Sequence, residues 1–178
     1  MTSYDPDSEV IGRYPLATVQ SAGEVSRVFE KKARELFSEH LGELDAETWY
    51  TTDDVVAAYQ SLGEEVGEAT MREGGKESAK AVEWPPEVST PMEGLGALAA
   101  MHKEAFRNSS REFPAGKYTF ESLGASRAHV GVTEDYPFTV PHAEGVFVGV
   151  VQDLSDAQPS IQSAEPEPDE QAAFEISW

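Results

Sequence analysis

Residues 90–123 read TPMEGLGALAAMHKEAFRNSSREFPAGKYTFESL, and the change of period inside this stretch decides the fold class. Thr90 is a helix N-cap type, Pro91 suits the first helical position, and Glu93 stands three residues after the cap, the pattern of a capping box. The helix it opens is expected to run to about Asn108, with Leu95, Leu98, His102, Ala105 and Phe106 on its apolar side. Lys103, Arg107 and Arg111 gather near its end, where positive charge complements the helix dipole. After Gly116 the spacing becomes alternating: Tyr118, Phe120 and Ser122 oppose Thr119, Glu121 and Leu123, the mark of a strand.

Upstream of this switch the chain reads as helical. Residues 1–15 form an irregular lead-in ending at Tyr14-Pro15. From about Ala17 to Leu44 the residues Val25, Val28, Phe29, Ala33, Leu36 and Phe37 recur at helical spacing, with Ser21 and Glu24 as a capping box and Gly42 as a stop. A second helix is expected from Asp53 to Glu73. Thr51 or Thr52 caps it, Val55, Val56, Tyr59, Leu62, Val66 and Ala69 are its stripe, and Gly74-Gly75 ends it. Gly74-Gly75-Lys76 lacks the spaced glycine and following Ser or Thr of a phosphate loop. Trp84-Pro85-Pro86 is a stiff connector.

Downstream the chain reads mostly as strands. Residues 126–134 are one candidate; Tyr136-Pro137 and Val140-Pro141-His142 are assigned to a loop. Gly145 to Val151 fits either a buried strand or the first turn of a helix. A short strand over 159–164, a Glu/Pro turn over 165–170 and a closing strand from Ala172 to Trp178 complete the order. In the closing strand Phe174, Ile176 and Trp178 alternate with Ala173, Glu175 and Ser177, so the C-terminal Trp is expected to dock in the sheet. Helices followed by antiparallel strands predict an α+β fold. The expected layout is one domain over 16–178, helical over about 16–110 and sheet over about 117–178.

The chain carries 33 acidic residues against 13 basic ones, a formal charge of −20, and no cysteine. Such a surface suits the strongly saline cytosol of a halophile, because in ~1 M salt the screening length falls to about 3 Å. Without cysteine there are no disulfides, thiolate catalysis or thiolate metal sites. After Lys117 the only basic residue is Arg127. Nucleic acid and anionic membranes are both held by clustered cations, so neither is an expected partner. No apolar run reaches the ~20 residues of a membrane span, and the polar, acidic stretch from Met1 to Val10 is no signal peptide. A cytoplasmic location is expected.

The second half bears a family resemblance. Ser126-Arg127-x-x-Val130, Tyr136-Pro137, Gly145-x-x-x-Gly149, the acidic turn from Glu165 and the terminal Phe174-Glu-Ile-Ser-Trp178 occur in an order that resembles the vinyl-reductase-type domain. That domain shares a superfamily with haem-nitric-oxide-binding domains and TRAPP-type trafficking subunits. The resemblance covers roughly residues 50–178. It implies an α+β ligand-binding domain, often a homodimer, with a pocket between helices and sheet for a small apolar or aromatic molecule. The chain also departs from the pattern. Glu165 sits where zinc-bearing relatives place a glutamate, but Pro168 and Ala173 stand approximately where they place cysteines. Haem-binding relatives use a proximal His and a Tyr-x-Ser-x-Arg clamp, and the nearest match, Ser126-Arg127, lacks the Tyr and the spacing. No cofactor is therefore expected.

A ligand pocket would draw on His102, Phe106, Tyr118, Arg127, Tyr136 and Phe138: aromatic walls, an imidazole to hydrogen-bond and one cation to hold a carboxylate. The plainer reading of the same residues is ordinary core packing, with His102 satisfied inside it. His142 and Glu165 are weak metal candidates, since scattered N/O ligands seldom make a site. No catalytic residue is assigned. Two alternatives to a non-enzymatic sensory domain stand: an enzyme using His102 or His129 as general base, and a trafficking-type interaction module whose core has no pocket.

Overall fold

Glu9-Val-Ile11 is too short to announce itself as a strand, yet in the structure, a computed structural model describing residues 3–178, it organises the first sheet. This strand, β1 (Glu9–Ile11), pairs antiparallel with β2 (Trp49–Thr51) on one side and β3 (Phe106–Arg107) on the other. The lead-in is thus not irregular throughout. The Asp5 amide donates to the Pro114 carbonyl at 2.8 Å, and the Asp5 carboxylate accepts from the Ser109 hydroxyl at 2.6 Å. Partners more than a hundred residues away hold this segment, so its local pattern could not show it.

The expected long first helix is two: α1 (Arg13–Val25) and α2 (Arg27–Leu41). Ser26 breaks the run in an extended conformation (φ −167°) and caps α2 by accepting from the Phe29 amide. Ser21, expected as a cap, is buried within α1. The break turns Val28 out to 80% exposure, while Phe29, Ala33 and Phe37 stay buried. Gly42 ends α2 with φ +75°, as expected.

The second helix is likewise two: α3 (Thr52–Val66), capped by Thr51, and α4 (Glu68–Lys80). The stop is Gly67, at φ +80°, a conformation costly for any residue with a Cβ. Gly74-Gly75 lies inside α4. Its role is packing: a Cβ on Gly75 would stand 2.0 Å from the His142 carbonyl oxygen. The helix α5 (Pro91–Glu104) carries the complete Thr90/Glu93 capping box and stops four residues short of expectation, because Phe106 must pair with Val10 in the first sheet.

The second sheet runs β4-β5-β7-β6, all antiparallel: β4 (Tyr118–Gly124), β5 (Arg127–Thr133), β6 (Ser160–Ala164) and β7 (Glu170–Ser177). The ambiguous glycine-rich segment resolves as α6 (Val140–Asp153), so the expected loop at Val140–His142 is its first turn. Glycines at 145 and 149 let α6 lie backbone to backbone on α4; a Cβ there would meet the Arg72 and Lys76 carbonyl oxygens at 1.9 and 2.4 Å. Ala128, Val130 and Val132 of β5 and Ile176 of β7 turn their side chains into the core, which also takes Phe147 of α6, Leu95 of α5 and Tyr59 of α3. No described helix is long and apolar enough to cross a membrane.

Candidate functional site

At the centre of the core, where α5 crosses the end of β4, sits His102. Its position on the apolar side of a helix buries it, and a buried imidazole must find a partner. One nitrogen does: Nε2–H donates to the Ala115 carbonyl at 3.1 Å. This leaves the lone pair on Nδ1, which is enclosed and has no partner. Burial pushes the ring's pKa down to about 4, against a smaller opposing pull from the Ala115 carbonyl. The imidazole is neutral at ordinary pH.

Aromatic rings surround it. Centroids of Phe106, Tyr118, Tyr136 and Phe138 lie 5.0, 5.2, 5.6 and 6.3 Å from that of His102, and Tyr14 lies at 6.2 Å. The Tyr118 and Tyr136 hydroxyls hydrogen-bond each other at 3.0 Å, and burial holds both phenols well above their ordinary pKa. Phe138 carries the cluster on to Tyr59 (4.8 Å), whose hydroxyl bonds Thr18. Tyr59 in turn meets His142 edge-on at 5.7 Å. His142 is buried with neither ring nitrogen partnered, and burial alone pushes its pKa down to about 4. Three residues before it, the Thr139 hydroxyl is buried and unpaired too.

Five of the six expected pocket residues therefore converge: His102, Phe106, Tyr118, Tyr136 and Phe138. Arg127 does not join them. It lies exposed at the start of β5, with its Nε 3.1 Å from Glu175. Glu165 is exposed in the turn before β7, while His142 is inside the core. Among the described residues no group of three or more His, Asp and Glu is arranged to hold a metal ion. Tyr14, Tyr59 and Thr139 were not expected at the site. In the sequence Tyr14 ends the lead-in and Tyr59 lies on a packing stripe, and neither pattern marks a shared centre.

His129, the other general-base candidate, does meet a carboxylate. Its Nε2 lies 2.9 Å from Glu170 on the opposite face of the sheet. Burial would raise the Glu170 pKa, but donors from Thr119, the Glu167 amide and His129 outweigh it and hold the group below its usual range. The Glu170 side chain is only 1% exposed. The pair ties the acidic turn to β4 and β5. Two clefts do open at the surface. One of about 480 Å³ is lined by Phe113, Lys117, Glu134 and Asp169; one of about 520 Å³ lies between Val88 and the Ala97, Ala100 and Met101 side of α5. Neither is lined by His102, His129 or His142.

The fold, two antiparallel sheets with helices packed on the larger one, is similar to that of solved haem-nitric-oxide-binding (H-NOX) domains. The chain is similar to a Tt H-NOX variant, at 13% identity and TM-score 0.65 over 94% of each chain. It is also similar to the oxygen complex of an oxygen-binding H-NOX domain related to soluble guanylate cyclases, at 12% identity and TM-score 0.61 over 93% of each. A third similar structure, from a study of haem redox potential and porphyrin distortion, is 12% identical with TM-score 0.60, covering 91% of this chain and 96% of that one. No protein-family model matches the chain, and no curated protein does.

Proposed function

We propose that the chain is a non-enzymatic, small-molecule-binding sensory domain that receives its ligand in the aromatic core between His102 and His142. One observation carries this reading. His102 Nδ1, both nitrogens of His142 and the Thr139 hydroxyl are buried without partners in one aromatic cluster. Each such atom costs roughly 1–3 kcal/mol when left unmade, and a core meant only to pack would replace it with an apolar group. A compact, largely apolar molecule with one or two hydrogen-bonding groups would satisfy them by displacing Phe138. Binding would be read out through α5 or α6 to a partner protein or a second copy of the chain. The fold it shares with H-NOX domains, one of them named as oxygen-binding, supports a sensory role.

The test is to purify the protein in molar KCl, denature it, and analyse the released fraction by mass spectrometry. A stoichiometric organic molecule supports the reading, and its release should be lost in His142→Leu. Release of no stoichiometric molecule from the wild-type protein would overturn it. The contact distances between the rings favour a second reading, an interaction module with a closed core, and that outcome would support it.

The charge of −20 belongs to the same proposal as adaptation to a saline cytosol. Dialysis from 3 M to 0.1 M KCl lengthens the screening distance from under 3 Å to about 10 Å. The melting temperature is expected to fall by on the order of 10 °C, equivalent to about 3 kcal/mol at this chain length. An unchanged thermal melt by circular dichroism would refute the salt adaptation.

A further inference from the structure

We infer that this chain is a haem-free version of the H-NOX fold, in which its own aromatic side chains occupy the space a porphyrin would need. Three observations lead there. The first concerns the axial bond. The only histidine on α5, His102, has its Nε2–H committed to the Ala115 carbonyl, and the remaining lone pair on Nδ1 is enclosed. A metal bond at Nε2 would require breaking that hydrogen bond and stranding the Ala115 carbonyl inside the core.

The second concerns room. A flat macrocycle lying against the imidazole would separate the rings on its two faces by two stacking distances. Here the rings touch each other. Tyr14 stacks on Phe138 at 5.6 Å, Phe138 meets Tyr136 at 5.6 Å, and Tyr118 meets both Tyr136 (5.3 Å) and Phe147 (5.5 Å). All are distances of direct aromatic contact. These contacts run through α1, β4, α6 and the loop before α6, so admitting a macrocycle would mean repacking the core.

The third concerns charge. A porphyrin of this kind carries two carboxylates, and a carboxylate at a buried edge needs a cation. The rings that face His102 carry phenols and hydrocarbon only. Past Lys117 the chain has one cation, Arg127, and it pairs with Glu175 away from the cluster. Lys117 lies outside the cluster, over the Phe113 ring at 5.3 Å. The Tyr-x-Ser-x-Arg clamp is absent from the sequence.

The inference is independent of the small-ligand reading, which survives any outcome except capture of a porphyrin. It is tested by titrating the purified protein with hemin in molar KCl, in the oxidised and dithionite-reduced states. The expected result is no saturable Soret shift, no rise in melting temperature, and the same absorbance for wild type and His102→Ala. A one-to-one Soret band that raises the melting temperature and vanishes in His102→Ala would overturn it. Electron paramagnetic resonance of the wild-type mixture decides the case should His102→Ala not fold. Imidazole-ligated ferric haem overturns the inference, and the spectrum of free or adsorbed hemin upholds it.

Discussion

Lowering the pH from 7 to 5 is expected to cost the fold about 2 kcal/mol for each of its two buried imidazoles, rising to about 3 kcal/mol each near pH 4. His102 and His142 both have pKa values pushed down to about 4 by burial, from 6.5 in the unfolded chain. Between those values the unfolded state binds protons that the folded state refuses. The stabilisation is therefore complete above pH 6.5 and is lost as pH falls towards 4. Protonation of surface carboxylates acts oppositely, by relieving the repulsion of a −20 surface. The histidine contribution is thus read as a difference between wild type and His142→Leu. The two should differ little at pH 7.5, or the variant should be slightly more stable, since it removes two unpartnered nitrogens. At pH 5 the variant should gain about 2 kcal/mol on wild type. Urea melts at both pH values measure this, and parallel curves for the two proteins would mean that His142 is not buried.

The second large effect is expected at Gly145. A Cβ there would stand 1.9 Å from the Arg72 carbonyl oxygen and 3.0 Å from the Lys76 amide nitrogen. Both are backbone atoms in the middle of α4 and cannot swing aside as a side chain tip can. Gly145→Ala therefore has to push α6 off α4, where the two backbones touch. A loss of about 3 kcal/mol or more is expected, a fall in melting temperature of roughly 10 °C. Gly96→Ala is the control. Its Cβ would lie 3.5 Å from the edge of the Phe120 ring, an ordinary contact, and alanine favours the helix by up to ~1 kcal/mol. That variant should melt at or slightly above the wild-type temperature. Equal melts for Gly145→Ala and wild type would remove the close helix approach from the account of the fold.

The two predictions meet at one place. Gly75 and Gly145 bring α4 against the first turns of α6, and a Cβ on Gly75 would strike the carbonyl of His142 itself. The unpartnered imidazole is held where it is by a backbone contact that only glycine allows. A ligand bound at His142, as proposed, would therefore bear on the α4–α6 pair.

Local signals were legible where partners are close in sequence. The Thr90–Glu93 capping box, the strands at β4 and β7 and the stop at Gly42 were all readable, because hydrogen bonds and side-chain periodicity within a few residues determine them, although Phe120 of β4 is 40% exposed. Gly74-Gly75 carries no such local signal. Two glycines in a row resemble a stop until a second helix lies against them, and here the stop is Gly67. Ser26 was hidden because the apolar residues on either side of it keep helical spacing across the break.

The sequence by itself determined the α+β class, the absence of any thiolate chemistry, the extreme acidity and the set of aromatic residues that could meet His102. These follow from composition and short-range periodicity, which need no tertiary partner. Only the tertiary structure decided that Tyr14 and Tyr59 join that set while Arg127 does not, and that His102 spends Nε2 on the Ala115 carbonyl. It also decided that His142, assigned to a loop, is an unpartnered buried imidazole on a helix. These facts depend on contacts between residues tens of positions apart, and only the packing of α4, α5 and α6 on the sheet brings them together.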